Sequence, residues 1–326
     1  MIRITDRTLS CLDGFNAPPE KLRRFTELLV ESGADFIELS VPVYNALSEL
    51  PEKGKYILRV KDADEALNYL GFSRYVCRKC GRPQGVSVIS EIQANDIREI
   101  NMLSQFSNLE NVRIVGFDDI MTHNYQSAFN QLKQKIHGRI ELCPENRGHC
   151  ATAIAVEWII SGGTDVVTSF MGVGGFAPYE EVVMALRMEL RHKPTKSYSI
   201  FPEMLSIIEE ITGVKASSKK PVLGKDIFTV EAGIHVSGIM KQPKTYEPFP
   251  PELVGNTRSI VLGKHSGKKA LEVKLKSLGI DVASVNLSEL LVRVRKFSIE
   301  NKCGLSDDDF KQIADDYLAS KSEKTS

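Results

Sequence analysis

No run of about eighteen consecutive apolar residues occurs in the 326-residue chain, which excludes a membrane-spanning helix of ordinary length. A charged-then-apolar leader is missing too. The chain starts at once with the strand-like Met-Ile-Arg-Ile-Thr, so a soluble, cytoplasmic protein is expected. Charge of one sign is not in excess: Lys+Arg and Asp+Glu both number 42, for a formal net charge of zero. Such a surface offers no field to a nucleic acid or a membrane, so neither is expected as a partner. Cysteine is too sparse for a disulfide framework. Cys11, Cys77, Cys80, Cys143, Cys150 and Cys303 read as thiols or metal ligands in a reducing compartment, and each alone fits a small buried hydrophobe. The lone Cys77-Arg-Lys-Cys80 has no second pair to complete a zinc site. A glycine-rich dinucleotide loop is also absent, which argues against a doubly wound open sheet.

What is present suffices for a large α/β domain with an appendage: 42% of residues are hydrophobic and 26% charged. Short apolar runs are predicted as strands at Ile2–Thr5, Phe36–Ser40, Lys55–Val60, Ser73–Cys77, Gly85–Ile89, Asn111–Gly116, Ile140–Cys143 and Asp165–Ser169. Amphipathic stretches with three- and four-residue spacing lie between several of them, at Glu20–Ser32, Tyr125–Ile136 and Ala151–Ser161. Eight strand-then-helix units imply a parallel (β/α)8 TIM barrel. The connectors between Ser40 and Gly85 are too tight for full helices, so a compact, trimmed barrel is expected.

After a helix at Tyr179–His192 the pattern changes. Another helix is expected at Phe201–Thr212, then a lysine-rich link and an extended, Gly/Pro-punctuated stretch, Val222–Arg258. A Gly-Lys-His-Ser-Gly turn follows at Gly263–Gly267, leading into helices at Lys268–Leu278 and Leu287–Asn301. The predicted division is therefore a barrel over 1–195 and a linker arm with a small helical C-terminal subdomain over 196–326. An arm of this length would need a partner to lie against, so a dimer is expected.

The arm carries motifs in a recognisable order. Lys219-Lys-Pro-Val-Leu-Gly-Lys-Asp-Ile-Phe-Thr-Val-Glu-Ala-Gly-Ile-His-Val-Ser-Gly-Ile-Met-Lys leads to Thr245-Tyr-Glu-Pro-Phe and Pro251-Glu-Leu-Val-Gly. Val261-Leu-Gly-Lys-His-Ser-Gly-Lys-Lys-Ala-Leu follows. This series resembles the C-terminal region of the homocitrate/isopropylmalate synthase family, most of all its short nitrogenase-type members. Ile4-Thr-Asp-Arg-Thr-Leu, Phe36-Ile-Glu-Leu-Ser-Val-Pro, Val86–Asp96 and Ala177-Pro-Tyr-Glu-Glu-Val-Val-Met-Ala-Leu echo its first, second, fifth and post-eighth-strand segments.

The resemblance implies condensation of acetyl-CoA with a 2-oxo acid such as 2-oxoglutarate, then thioester hydrolysis. It also implies a divalent metal that polarises the ketone. In the arm, the resemblance assigns catalytic roles to His235, Glu231 and the tyrosine Tyr246. In the barrel it assigns Glu91 a place near the substrates. His265 is a candidate for substrate contact or for capping the following helix.

The barrel departs from the family pattern. Aligned without a gap, the first-strand Arg-Asp falls on Ser10 and Cys11; a two-residue shift restores the acid as Asp13 but still loses the arginine. The His-x-His pair becomes Cys143-Pro144-Glu145, and the charged pair of the glycine-rich segment is lost in Gly172–Phe176. Two readings of the metal position stay open. Cys143, Glu145 and Cys11 or Asp13 could form a substituted site, with His149 and Cys150 nearby, since thiolate and carboxylate are legitimate ligands. Alternatively the site is vacated, and Arg147 binds an anion at the barrel mouth. An arm of family type on an altered barrel implies an omega-type subunit. Such a chain completes a partner's active site, as a heterodimer with a catalytic synthase subunit or as a homodimer. The competing readings are a self-sufficient aldolase or condensing enzyme with a Cys/Glu metal site, and a non-catalytic regulatory or scaffold relative.

Overall fold

A computed structural model describes residues 1–78, 84–231, 238 and 242–322. Cys80 and His235 lie outside these described residues. The chain divides into two compact units, Met1–Ala216 and Ser217–Ser326.

In the first unit eight parallel strands close a barrel in sequence order. They are β1 Arg3–Asp6, β2 Phe36–Ser40, β3 Tyr56–Arg59, β4 Arg74–Cys77, β5 Val88–Ala94, β6 Asn111–Gly116, β7 Arg139–Pro144 and β8 Asp165–Thr168. Closure is made by β1 on β8, with Arg3 opposite Asp165 and Asp6 opposite Thr168. This is the (β/α)8 architecture expected from the alternation of elements. Strand β5 runs later than the predicted Gly85–Ile89, because its ladder with β6 is set by Ser90–Ala94 pairing with Val112–Gly116.

Helix α1 (Pro19–Ser32) has proline at its first position and ends at Gly33, whose φ of 85° suits the left-handed stop. The next connectors are short. Helix α2 (Val41–Ala46) is capped by the Ser40 hydroxyl, which accepts from Val43 N, and after β3 there is one 3-10 turn, Glu65–Asn68. The β2-to-β5 side is therefore trimmed, as the spacing predicted. Full helices return with α3 (Tyr125–Lys135), α4 (Ala151–Ile160) and α5 (Tyr179–Leu190).

The boundary between units falls after Ala216, twenty-one residues beyond the predicted 195. The cause is α6 (Phe201–Thr212), which packs on the barrel rather than joining the arm. Phe201 lies 5.7 Å from Phe170 and stacks on Tyr198 at 5.0 Å, centroid to centroid. On the surface, Glu203 accepts from Nε and Nη2 of Arg24 at 2.7 and 3.0 Å. Burying the Phe201 ring is worth about 2–3 kcal/mol, so the hydrophobic face, not the exposed pair, holds this helix.

The second unit has a two-stranded parallel ladder, β9 (Thr229–Val230) with β10 (Ser259–Ile260). Helices α7 (Lys268–Ser277), α8 (Leu287–Asn301) and α9 (Asp307–Ser322) follow. They enclose a core of Leu262, Leu271, Leu275, Leu290, Val294, Leu305 and Phe310. Asn286 starts α8 by accepting from Ser288 N and Glu289 N.

Candidate functional site

Each barrel strand carries a charged residue in the phase that faces the barrel axis, where such barrels ordinarily hold layers of branched apolar side chains. At the strand starts, Asp165 takes Arg3 through two bonds of 2.8 and 2.6 Å, and it also accepts from Arg139. Above this, Phe36 lies under the Arg74 guanidinium at 4.3 Å. Glu141 bonds Arg74 and is gripped by Arg113 at 3.1 and 2.9 Å. Arg113, fully buried, also bonds Glu38 and lies 3.7 Å from Glu91. Glu38 accepts from Arg59 at 2.9 Å, and Arg59 reaches on to Glu91 at 3.0 Å.

Nearest the mouth is Arg7. Its Nη1 donates to Cys143 Sγ at 3.3 Å. Its guanidinium sits 3.9 Å over the Phe176 ring, and it lies 4.0 Å from both Glu38 and Glu91.

Electrostatics follow from this packing. Burial would raise both glutamates, but the surrounding arginines more than offset it. Arg113, Arg59 and Arg7 hold the Glu38 carboxyl well below the usual range. Arg59, Arg113 and Arg7 bring Glu91 down to about 2. A carboxylate so stabilised as its anion is a poor proton acceptor near neutrality. Glu91, a catalytic candidate from the sequence, is thus a buried member of an ion network and neither an exposed nor a free base.

The metal candidates do not assemble. Cys11 and Cys143 meet in one cluster with Val115, Val167 and Phe176. Asp13 is exposed and accepts from Ser40 at the end of β2. Glu145 points to Gln93 Nε2 at 3.2 Å and to Arg147 at 3.3 Å. His149 is exposed and Cys150 only half-buried. Among the described residues no group of three or more His, Cys, Asp or Glu is disposed to hold an ion. Burial pushes the Cys11 thiol up to about 11 and raises Cys143 too, despite Arg7. With no three donors disposed to hold an ion among the described residues, the residues present do not fit a family-type divalent metal. Gly174 explains how tightly Cys11 packs: its φ is 79°, and an added Cβ would lie 2.8 Å from Cys11 Sγ.

Beside this centre the mouth opens into a cavity of about 500 Å³ lined by Asp13, Ser40, Arg59, Lys61, Glu65 and Arg78. Arg147 is exposed, paired with Glu145, and does not line this cavity.

The second unit organises its candidates differently. Glu231 follows β9 and accepts from His265 N at 3.1 Å. Its carboxylate rests on Gly263, where an added Cβ would come within 2.4 Å of it. Ser266 donates to Glu231 O at 3.2 Å and accepts from Gly263 N at 2.9 Å. The Gly-Lys-His-Ser-Gly turn is thereby tied to β9, with the His265 side chain exposed. Tyr246 is 45% exposed, and its ring lies on Gly238, where an added Cβ would meet it at 2.2 Å. Tyr246 and Gly238 are thus neighbours. Tyr246 also borders a largely apolar cavity of about 460 Å³ with Val222, Phe228, Val230 and Phe249.

Sequence reasoning missed the barrel network: Glu38, Arg59, Arg74, Arg113, Glu141 and Asp165 were not singled out. The signal was present as single charges alternating with apolar residues inside strands, as in Asn111-Val-Arg-Ile-Val-Gly. Fully buried parallel strands ordinarily read as continuous apolar runs.

Residues 222–302 match a family model described as homocitrate synthase post-HMGL domain-like. The chain is 29% identical over 338 residues to the homocitrate synthase omega subunit of Clostridium pasteurianum, covering 96% of this chain and 95% of that one. It is 30% identical over 334 residues to homocitrate synthase AksA of Methanosarcina mazei, covering 95% and 78%. An HMG-CoA lyase structure from Acinetobacter baumannii aligns with a TM-score of 0.51 at 10% identity, over 69% of this chain and 96% of that one. That likeness bears on the fold alone. No helix among the described residues is long and apolar enough to cross a membrane.

Proposed function

The chain belongs to the homocitrate synthase family, and we propose that within it the chain is the arm-donating subunit of a two-chain condensing enzyme. The reaction is the joining of acetyl-CoA to 2-oxoglutarate or a related 2-oxo acid, followed by hydrolysis of the thioester. The observation that carries this reading is the barrel centre. Arg7, Arg59 and Arg113 fill it in ion pairs with Glu38 and Glu91, and among the described residues no three donors are disposed to hold a metal that would chelate an oxo acid.

The second unit supports the other half of the reading. Its 222–302 region matches the family model, and it retains Glu231, His235, Tyr246 and His265. In a partner's active site His235 would move a proton during formation of the acetyl-CoA enolate or of the alkoxide, with Tyr246 orienting it. Glu231 would hold the His265 turn through the bond it already makes to His265 N. The partner's barrel would supply the divalent cation and the oxo-acid pocket. The Clostridium pasteurianum relative is named an omega subunit, which favours this over a scaffold role.

The test is reconstitution with a catalytic synthase chain, reading CoA release in complexes isolated by size. His235→Ala and Tyr246→Phe are expected to leave the complex assembled while lowering turnover by about 100-fold and 10-fold respectively. Unchanged turnover in both variants would leave a scaffold relative as the better account.

A further inference from the structure

Three groups approach the Arg7 guanidinium at the barrel mouth, the Cys143 thiol and the carboxylates of Glu38 and Glu91. Arg7 donates to Cys143 at 3.3 Å and stands 4.0 Å from each carboxylate. Cys11 shares the cluster of Cys143 and Phe176. Thiol and carboxylate are the donor types that a borderline divalent ion takes. Here they face a guanidinium instead.

We infer that Arg7 is the resident cation of this barrel, holding the position and the charge that a divalent ion would otherwise provide, so that the chain folds and assembles without a metal of its own.

Three observations converge on this. Arg7 is almost fully buried, at 7% exposure, and is held from above by the Phe176 ring at 3.9 Å, a desolvated cation–π contact. It is not a surface side chain that has fallen inward. The carboxylates it faces are already neutralised by Arg113 and Arg59. A dication among these guanidinium groups would meet repulsion in a medium that screens poorly. The surrounding cluster is also closely packed, since an added Cβ at Gly174 would lie 2.8 Å from Cys11 Sγ and 3.0 Å from the Phe176 ring.

The inference about this chain alone is independent of the proposed division of labour. Its consequence for the complex, one divalent ion per pair of chains and not two, rests on that reading.

The test begins with elemental analysis and thermal melting of the full chain purified without chelator. Bound metal is expected below about 0.1 ion per chain, and EDTA, Mg²⁺, Mn²⁺ and Zn²⁺ should leave the melting temperature unmoved, since a native-state ligand would raise it. Close to one ion per chain, or a melting temperature that falls with EDTA, would overturn the inference. Arg7→Ala is expected to melt about 10 °C lower and to regain part of that with millimolar methylguanidinium but not with methylammonium. An Arg7→Ala chain as stable as the parent would also overturn it. If that variant does not fold, the metal content of the parent chain still decides. Neither readout involves turnover, so failure here and failure of the proposed reaction are told apart.

Discussion

The Arg7 guanidinium donates to the Cys143 thiol at 3.3 Å, so the end of the first barrel strand and the end of the seventh are joined by a cation and a thiol. Burial raises the Cys143 thiol; burial would lower the Arg7 guanidinium, but Cys143 and Glu38 beside it more than offset that.

The network beneath this pair is expected to behave as a buried ion cluster, in which loss of one member leaves the others uncompensated. Arg113→Met should therefore cost about 3–5 kcal/mol by urea denaturation, because Glu38 and Glu141 lose a partner together. Arg78→Ala is the contrast. Its side chain is 75% exposed and meets Glu91 only at 3.3 Å, so a change within about 0.5 kcal/mol is expected.

Stability should fall as pH rises from acid to neutral through Asp6. This residue is fully buried, Oδ1 accepts from Thr8 N at 2.9 Å, and Oδ2 makes no hydrogen bond. Burial, with the nearby Glu180 adding to it, raises its carboxyl from 3.8 to about 7. The folded chain then holds a proton that the unfolded chain has released. The loss should approach about 1.4 kcal/mol per pH unit between roughly pH 4 and 7. Asp6→Asn should flatten this slope, as read by urea midpoints across the range.

Glu91 has the opposite sign. Arginines hold it at about 2, so its contribution is present above about pH 4.5 and is lost as pH falls toward 2. Glu91→Gln should remove its share of the acid limb, leaving that of Glu38 and the Asp6 limb in place.

In the second unit Gly238→Val should displace the Tyr246 ring, which an added Cβ would meet at 2.2 Å. The reconstituted complex is expected to lose activity to about the extent of Tyr246→Phe, with an unchanged melting temperature for the α7–α9 core. Fluorescence of the tyrosine and CoA release measured together would check it.

Most helices and the barrel itself were legible because their signal is local. The Phe201–Thr212 and Leu287–Asn301 helices end where periodicity and capping residues say they should. The unit boundary was not, because whether α6 joins the arm or the barrel depends on the contacts of Phe201 with Phe170 and Tyr198. The metal question was half-legible. Loss of the family's histidines was visible in Cys143-Pro-Glu145, but the replacement of an ion by Arg7 was not. That pairing depends on which strands become neighbours when the barrel closes. Arg113, lying between Glu38 and Glu141, illustrates the same limit: its partners are 75 and 28 residues away.

The division of labour between two chains is tested most directly by acetyl-CoA- and 2-oxoglutarate-dependent CoA release. It should be measured for this chain alone, for a catalytic synthase chain alone, and for the two mixed. The account predicts no turnover from this chain alone and turnover in the mixture that disappears with His235→Ala. Turnover by this chain alone at the rate of the mixture would contradict it, and would mean that the arginine-filled barrel performs the condensation itself.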